Sequence, residues 1–257
     1  MAVQEQFKSR IECAAEIIRG SHYTVVLTGA GISTPSGIPD FRSPNSGLWE
    51  RYDPFEVASL NAFRFHPDSF FTWFRPLAHD IHSAQPNPAH RGLAHLEQAG
   101  YISTIITQNI DGLHQRAGST NVLEVHGSLK TLTCVSCYRQ YDARDFTQAY
   151  IEQGDMPHCR QCNGILKPDV VLYGEQLPAR IWLQAQENAK KCDLMIVAGS
   201  SLEVLPVAGL PMRAIDHGAH LIIINQSETY MDIRADIVLN NDVAVIVPLI
   251  VKGVLGD

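Results

Sequence analysis

The sequence predicts an α/β fold, in which helices cover both faces of a parallel β-sheet and a smaller domain is built from two excursions. Unbroken β-branched runs alternate with amphipathic helical patterns, as the strands and helices of parallel sheets do. Two stretches interrupt this alternation: residues 43–88 are rich in aromatic residues and proline, and residues 129–167 hold four of the six cysteines. The 257 residues are enough for one large and one small domain.

Short apolar runs predict the strands of the sheet, because they are uninterrupted and β-branched like strands buried on both faces. These runs are residues 24–28, 102–107, 194–198 and 221–225, with a further strand expected at 236–239. Helical patterns are found at residues 89–99, 179–189 and 207–217 and through the C-terminal tail. Near the N-terminus, apolar side chains from Phe7 to Ile18 recur on one helical stripe.

The alternation predicts how the chain is divided into domains. A Rossmann-like domain is expected to comprise residues 1–42, 89–128 and 168–257. A helical insertion at residues 43–88 and a metal-binding module at residues 129–167 would together form the small domain.

Composition limits the possible functions. The net charge of −7 argues against a nucleic-acid-binding protein, whose affinity rests on a basic surface. It would tolerate basic partners such as lysine-rich protein segments. Glutamates interrupt the N-terminal segment and Pro248 interrupts the apolar tail, so we expect neither an export signal nor a membrane span. We therefore expect a cytoplasmic protein with reduced thiols.

Four cysteines form two C-x-x-C pairs, Cys134/Cys137 and Cys159/Cys162, separated by 21 residues. Each pair can direct two thiolates to one point, and two pairs supply the ligands of a tetrahedral zinc ion. A closed four-thiolate shell indicates a structural ion that stabilises a segment with little core of its own. Two disulfides are the alternative, which a reducing compartment disfavours.

A glycine-rich turn follows the first predicted strand, in the stretch VVLTGAGISTPSGIPDFR. Nucleotide sites often begin in this way, because glycines let the backbone approach phosphate groups. The spacing differs from that of hydride-transfer enzymes: after Gly29 and Gly31 a third glycine is expected at position 34, where Thr34 stands. The turn therefore argues against a dehydrogenase.

Polar residues follow other predicted strands, where open parallel sheets place their ligands. Gln108, Asn109 and Asp111 share one turn, and His126 follows a short apolar run. The stretch GSSLEV at residues 199–204 could cradle phosphate with backbone amides and hydroxyls. Taken singly, these residues have plainer interpretations: Asn109 and Asp111 can be turn or cap residues, and a lone histidine is usually structural.

Taken together, these stretches resemble the sirtuin family of NAD-dependent protein lysine deacylases. The resemblance runs in order through GAGIS, GIPDFR, TQNIDGLH, VHG, the paired C-x-x-C, KPDVVLYGE, GSSLEV and IIINQSET, and covers nearly the whole chain. It implies the predicted fold, NAD as a consumed co-substrate, and one structural zinc ion.

The resemblance implies a set of cofactor-binding residues. Phe41 would shield the reactive ribose carbon from water, and Asp111 would hydrogen-bond the nicotinamide carboxamide. The set is Gly29, Ala30, Gly31, Ile32, Pro39, Asp40, Phe41, Arg42, Gln108, Asn109, Ile110, Asp111, Gly199, Ser200, Ser201, Asn225, Gln226 and Val243.

His126 corresponds to the family's catalytic base, and Asn109 is the second residue assigned a catalytic role. The implied reaction begins when the acyl-lysine carbonyl oxygen attacks the nicotinamide ribose carbon. It ends with free lysine, nicotinamide and O-acyl-ADP-ribose. An imidazole suits the role of base because its unperturbed pKa lies near neutrality.

The resemblance also implies an extended acyl-lysine peptide, bound as an added strand between the two domains. The residues implied to pair with it are Val171, Leu172, Tyr173, Gly174 and Glu175 on one side and Val204 and Leu205 on the other. Sirtuins that favour acidic acyl groups carry a Tyr-x-x-Arg pair. Here Phe74 and Leu77 stand at those places, which favours acetyl, unless a shifted alignment brings Arg75 there.

Acetylated lysine-containing proteins are therefore the expected partners of a monomeric deacetylase. Removal of succinyl or long-chain acyl groups and mono-ADP-ribosyl transfer to protein are the alternatives within the family. A zinc-containing binding module that senses NAD is the alternative outside it.

Overall fold

The structure is a computed structural model that describes residues 2–43 and 47–256. Residues 44–46, in the predicted helical insertion, and the two terminal residues lie outside the described residues. The strands are β1 Thr24–Thr28, β2 Thr104–Thr107, β3 Val122–Glu124, β4 Gly127–Cys134, β5 Gln140–Asp142, β6 Leu166–Val170, β7 Leu194–Ala198, β8 His220–Ile224 and β9 Ile237–Leu239. The helices are α1 Ala2–Gly20, α2 Pro54–Val57, α3 Leu60–Phe65, α4 Pro67–Ser83, α5 Pro88–Gln98, α6 Leu113–Arg116, α7 Arg144–Gln153, α8 Ala179–Lys191, α9 Leu210–Asp216 and α10 Val243–Leu255.

A six-stranded parallel sheet forms the centre of the molecule, with the strand order β3-β2-β1-β7-β8-β9. Strands β1 and β7 have the predicted bounds. Strand β2 begins two residues later than predicted, because the amide of Ile102 still bonds to Leu96 at the end of α5. The predicted α/β class with a parallel sheet is confirmed.

Successive side chains of the sheet enter two separate cores, because strand residues alternate between faces. Val26 and Ile105 pack with α1, α5 and α10 on one face. Val25 and Leu27 pack with α8 and α9 on the other face. None of the described helices is both long enough and apolar enough to cross a membrane.

The helix predicted at residues 207–217 is shorter in the structure. Val207–Gly209 form a 3₁₀ turn, and α9 begins at Leu210 with Pro211 in its first turn. Proline lacks an amide hydrogen and is accommodated best at a helix start, which explains why the α-helix begins here. Helix α10, by contrast, continues through Pro248.

A second sheet, antiparallel and with the order β5-β4-β6, lies outside the parallel one. Aromatic side chains from α3, α4 and α7 form a further core beside it, including Phe63, Phe70 and Tyr150. The division into a large and a small domain stays a prediction. Its boundaries at residues 128/129 and 167/168 fall within β4 and β6.

Two buried histidines lie against each other beneath the sheet's carboxyl edge, with ring centroids 4.9 Å apart. Nδ1 of His90 accepts a hydrogen bond from the amide of Asn87 at 3.4 Å, and Nε2 of His114 lies 2.9 Å from Oγ1 of Thr28. Burial lowers the pKa of His90 to about 4 and that of His114 to about 3. Both rings are therefore neutral at pH 7.

We expect these two histidines to make the fold acid-sensitive. Their folded-state pKa values are depressed, so below pH 6.5 the unfolded chain binds protons that the folded chain does not. As the pH falls below 6.5, each histidine should therefore lower the free energy of unfolding by about 1.4 kcal/mol per pH unit. Urea unfolding followed by circular dichroism between pH 7.5 and 4.5 measures this slope.

His114→Gln keeps a polar group beside Thr28 and removes one titrating ring. Its pH slope between pH 5.5 and 4.5 should be smaller than that of the wild type by about 1.4 kcal/mol per unit. The exposed His82 provides a matched control, and His82→Gln should keep the wild-type slope. Equal slopes for His114→Gln and the wild type would contradict the prediction.

Candidate active site

A cavity of about 920 Å³ opens at the carboxyl ends of β1, β2, β7 and β8. Loops that follow these four strands form its walls, at residues 29–43, 108–111, 199–206 and 225–228. Open parallel sheets bind ligands at this edge. The volume lies in the range of cofactor and small-molecule sites.

Glycines bring the loops after β1 and β7 into direct contact. The amide of Gly31 donates to the carbonyl of Gly199 at 2.9 Å. Gly199 has a φ of +64°, and a Cβ there would lie 2.3 Å from the amide nitrogen of Ile32. After Gly29 the chain makes the short 3₁₀ turns Ala30–Ile32 and Thr34–Ser36 instead of a long helix. This path explains why the third glycine of a hydride-transfer loop is missing.

A polar cluster fills the floor of the cavity between the loops after β1 and β2. Asn109 donates through Nδ2 to the carbonyl of Gly29 at 3.0 Å and to Oγ of Ser33 at 3.1 Å. Ser33 in turn donates to Asp111 at 2.7 Å, and the amide of Leu113 donates to the same carboxylate at 2.8 Å. Burial raises the pKa of Asp111 above its usual range, against these hydrogen bonds, which lower it. The cluster fixes the orientation of Asn109 and Asp111.

His126 lies on the cavity wall between β3 and β4. Its Nδ1 lies 3.0 Å from the carbonyl oxygen of Gln108, which can only accept a hydrogen bond. Nδ1 therefore carries the proton, and Nε2 keeps a free lone pair. Burial lowers the pKa of His126, assisted by the charge of Arg42, although the bond to Gln108 raises it. The ring is thus a neutral base at pH 7.

Aromatic side chains form the wall between the loop after β1 and helix α4. Phe41 stacks on Trp49 with ring centroids 5.0 Å apart, and Trp49 stacks on Trp73 at 5.7 Å. Further apolar lining comes from Phe74 and Leu77 of α4. The result is an apolar chamber that adjoins the histidine and the polar floor.

Most backbone amides of residues 171–175 already donate hydrogen bonds within the protein. The amide of Val171 donates to His126, that of Leu172 to the side chain of Glu175, that of Tyr173 to Ala58 and that of Glu175 to Leu172. Among the described residues only the amide of Gly174 in this segment has no partner. The segment is therefore hydrogen-bonded to the rest of the protein, and the amide of Gly174 is left to pair with a further strand.

The cavity contains every residue predicted for cofactor, peptide and catalysis except Ile32. The side chain of Ile32 is fully buried in the core between the sheet and α10. The prediction that it lines the cavity is therefore wrong for its side chain. Sequence reasoning missed Ser33 and Trp49. A hydroxyl inside GAGIS was a signal for Ser33, whereas nothing in the sequence indicated the stacking of Trp49 on Phe41.

The four predicted zinc ligands converge outside this cavity. Their sulfur atoms all lie within 4.8 Å of one another, with 3.5 Å between Cys134 and Cys162 and 3.6 Å between Cys137 and Cys159. A tetrahedral zinc ion with Zn–S bonds of about 2.3 Å places its sulfurs about 3.8 Å apart. The cluster therefore fits one structural zinc ion. Cys13 and Cys192 are free thiols, exposed and buried respectively.

The fold and the site define a nucleotide-binding enzyme with an attached zinc module. Residues 29–206 match the model of the Sir2 family, and the chain belongs to this family. The predicted resemblance to the sirtuins is thereby confirmed.

Two relatives share nearly the whole length of the chain. NAD-dependent protein deacylase 2 of Archaeoglobus fulgidus is 45% identical over 96% of this chain and 97% of its own. An NAD-dependent protein deacetylase of Saccharolobus solfataricus is 46% identical over 95% of this chain and 96% of its own.

Two solved structures have the same fold. A Sir2 enzyme studied for its mechanism and regulation superposes with a TM-score of 0.92 at 45% identity, covering 97% of this chain and 99% of that one. A Sir2 complex with a deacetylated p53 peptide and 3′-O-acetyl ADP ribose has a TM-score of 0.87 at 41% identity, covering 93% and 96%.

Proposed function

We propose that this protein is an NAD-dependent protein lysine deacetylase, which transfers the acetyl group of acetyl-lysine to ADP-ribose and releases nicotinamide. The observation that carries this proposal is the neutral His126, held with a free Nε2 between a polar floor and an aromatic chamber in one cavity. The names and complexes of the relatives support the same activity and the dependence on NAD.

NAD, when bound, supplies the ribose carbon that accepts the acetyl oxygen, and nicotinamide is its leaving group. The cluster of Asn109 and Asp111 would orient the nicotinamide carboxamide. The close contact between Gly31 and Gly199 would let backbone groups approach the pyrophosphate. Phe41 would exclude water from the reacting carbon, while Nε2 of His126 would accept the proton of a ribose hydroxyl.

The acetyl-lysine peptide would bind as an extended strand between residues 171–175 and residues 203–205. On the first side the free amide of Gly174 is the available donor. On the second side the amides of Glu203, Val204 and Leu205 have no partner among the described residues. Such backbone pairing recognises an extended peptide more than its sequence.

The lining of the chamber favours neutral acyl groups. Phe74 and Leu77 line the cavity. Arg75, which a shifted alignment would have placed there, points elsewhere: its guanidinium donates to the carbonyls of Ile151 and Glu152 at 2.9 and 2.8 Å. No arginine or lysine of α4 among the described residues is therefore available to pair with an acyl carboxylate.

Acylated lysine peptides are the partners that this proposal implies. A cytoplasmic location agrees with four free cysteines arranged to bind zinc, since zinc thiolates require reduced thiols. A monomer is the form we propose, and the net charge of −7 supports the proposal that it does not bind nucleic acid.

The proposal is tested by mass spectrometry of an acetyl-lysine peptide incubated with the protein and NAD. We expect deacetylated peptide, nicotinamide and O-acetyl-ADP-ribose in equal amounts. Nicotinamide release with the peptide still acetylated would instead favour another acyl group or ADP-ribosyl transfer to protein. Unchanged NAD would favour the binding module, and formation of NADH, seen by absorbance, would indicate a dehydrogenase.

A further inference from the structure

The charged side chains around the cavity are unevenly divided. Among the described lining residues Arg42 is the only lysine or arginine. The carboxylates that line the cavity are Asp40, Asp111, Glu175, Glu203 and Glu228. Asp40, Asp111 and Glu175 accept hydrogen bonds from backbone amides of their own loops. Glu175 also pairs with Lys167 at 2.9 Å, although Lys167 does not line the cavity. Glu203 is different, because it shares the single cation of the site.

Arg42 is held at the peptide end of the cavity by two side chains. Its Nε lies 3.2 Å from Oε2 of Glu203, and its Nη2 donates to the hydroxyl of Tyr173 at 3.0 Å. The side chains of Arg42 and Glu203 are 31% and 58% exposed, and ion pairs this exposed contribute little. A cofactor pyrophosphate, with two negative charges, can therefore replace Glu203 as the partner of Arg42.

Glu203 stands next to Val204, the central residue of the second side of the proposed peptide arrangement. Glu203 and Leu205 are exposed, whereas Val204 between them is half-buried. A peptide that pairs with Val204 directs its acyl-lysine side chain inward, and its two neighbouring side chains then point outward. One of these neighbours would then lie beside the exposed carboxylate of Glu203.

We propose that Glu203 determines specificity for a basic residue adjacent to the acyl-lysine, and that it is released for this contact when the cofactor takes over Arg42. This inference rests on the proposed deacetylase function. In the structure Arg42 neutralises Glu203. In the ternary complex the pyrophosphate neutralises Arg42, and a lysine or arginine of the peptide neutralises Glu203.

The first test compares two acetyl-lysine peptides that differ only in the residues flanking the acetyl-lysine, arginine in one and glutamine in the other. For the wild type we expect kcat/KM to be about five-fold higher for the arginine peptide, as an exposed ion pair allows. Glu203→Gln should bring the ratio to about one, and Glu203→Lys should invert it. Glu187→Gln, which removes another exposed ion pair 3.1 Å long on α8, is the matched control and should keep the wild-type ratio.

The second test measures binding of both peptides by calorimetry, with and without ADP-ribose. The preference for the arginine peptide should be present with ADP-ribose. It should be absent without ADP-ribose, because Arg42 is then still paired with Glu203 and the carboxylate is not free to bind the peptide. An equal preference in both conditions, or a preference that persists in Glu203→Gln, would overturn the inference. Turnover of the glutamine peptide by the wild type reports separately on the deacetylase function. If that peptide is not deacetylated, the proposed function itself fails.

Discussion

Replacing His126 with alanine is expected to reduce kcat/KM for the acetyl-lysine peptide by about 10²- to 10⁴-fold, because it removes a positioned general base. The bond from the amide of Val171 to the backbone carbonyl of His126 does not involve the ring, so the fold should survive the change. Quantitative mass spectrometry of the peptide gives the rate, and a thermal melt checks the fold.

The exposed His82 provides the matched control, and His82→Ala should keep the wild-type rate. Because burial lowers the pKa of His126, the wild-type rate should fall only when the pH drops below 6.5. The variant should lack this acid limb. Near-wild-type turnover by a folded His126→Ala, or a loss of wild-type rate already above pH 6.5, would contradict the assignment of His126 as the base.

The fold could be predicted from the sequence because its signals are local. Buried parallel strands such as β1 and β7 are short, continuous and β-branched, so their bounds follow directly from the residues. The start of α9 could not be read in this way. The 207–217 pattern is amphipathic throughout, and only the position of Pro211 decides where the 3₁₀ turn gives way to the α-helix.

The candidate site could be predicted only as far as its residues stand in short motifs. Glycines and polar residues at strand ends indicate where a ligand lies, but motifs do not indicate which way each side chain points. Ile32 lies inside a motif and faces the core, whereas Trp49 lies outside every motif and stacks on Phe41. Contacts between distant segments, such as that of Arg42 with Glu203, depend on tertiary packing and have no signature in the sequence.

Replacing Cys134 with serine is expected to remove the zinc ion and to unfold the antiparallel sheet. Structural zinc binds with about 10–16 kcal/mol in small zinc domains, which is comparable to the whole stability of a typical domain. Cys134 ends β4, the central strand of this sheet, so its loss affects pairing with both β5 and β6. Atomic absorption should give one zinc per wild-type chain and far less for the variant, with a lower melting temperature.

Cys13→Ser is the matched control, since Cys13 is an exposed thiol outside the cluster and should leave zinc content unchanged. A full complement of zinc in Cys134→Ser would contradict the four-cysteine site.

Loss of the zinc ion should also reduce activity, although the ion lies outside the cavity. His126 immediately precedes β4, and the neighbouring Gly127 pairs with Val170 of β6, where a Cβ on Gly127 would lie 2.1 Å from the carbonyl oxygen of Asp169. The ring of His126 is thus positioned by the β4–β6 strand pair, whose other end, where Cys134 pairs with Leu166, adjoins the cysteine cluster. We therefore expect chelation of zinc to lower kcat for the acetyl-lysine peptide. Far-ultraviolet circular dichroism should show that the six-stranded sheet remains folded under the same conditions.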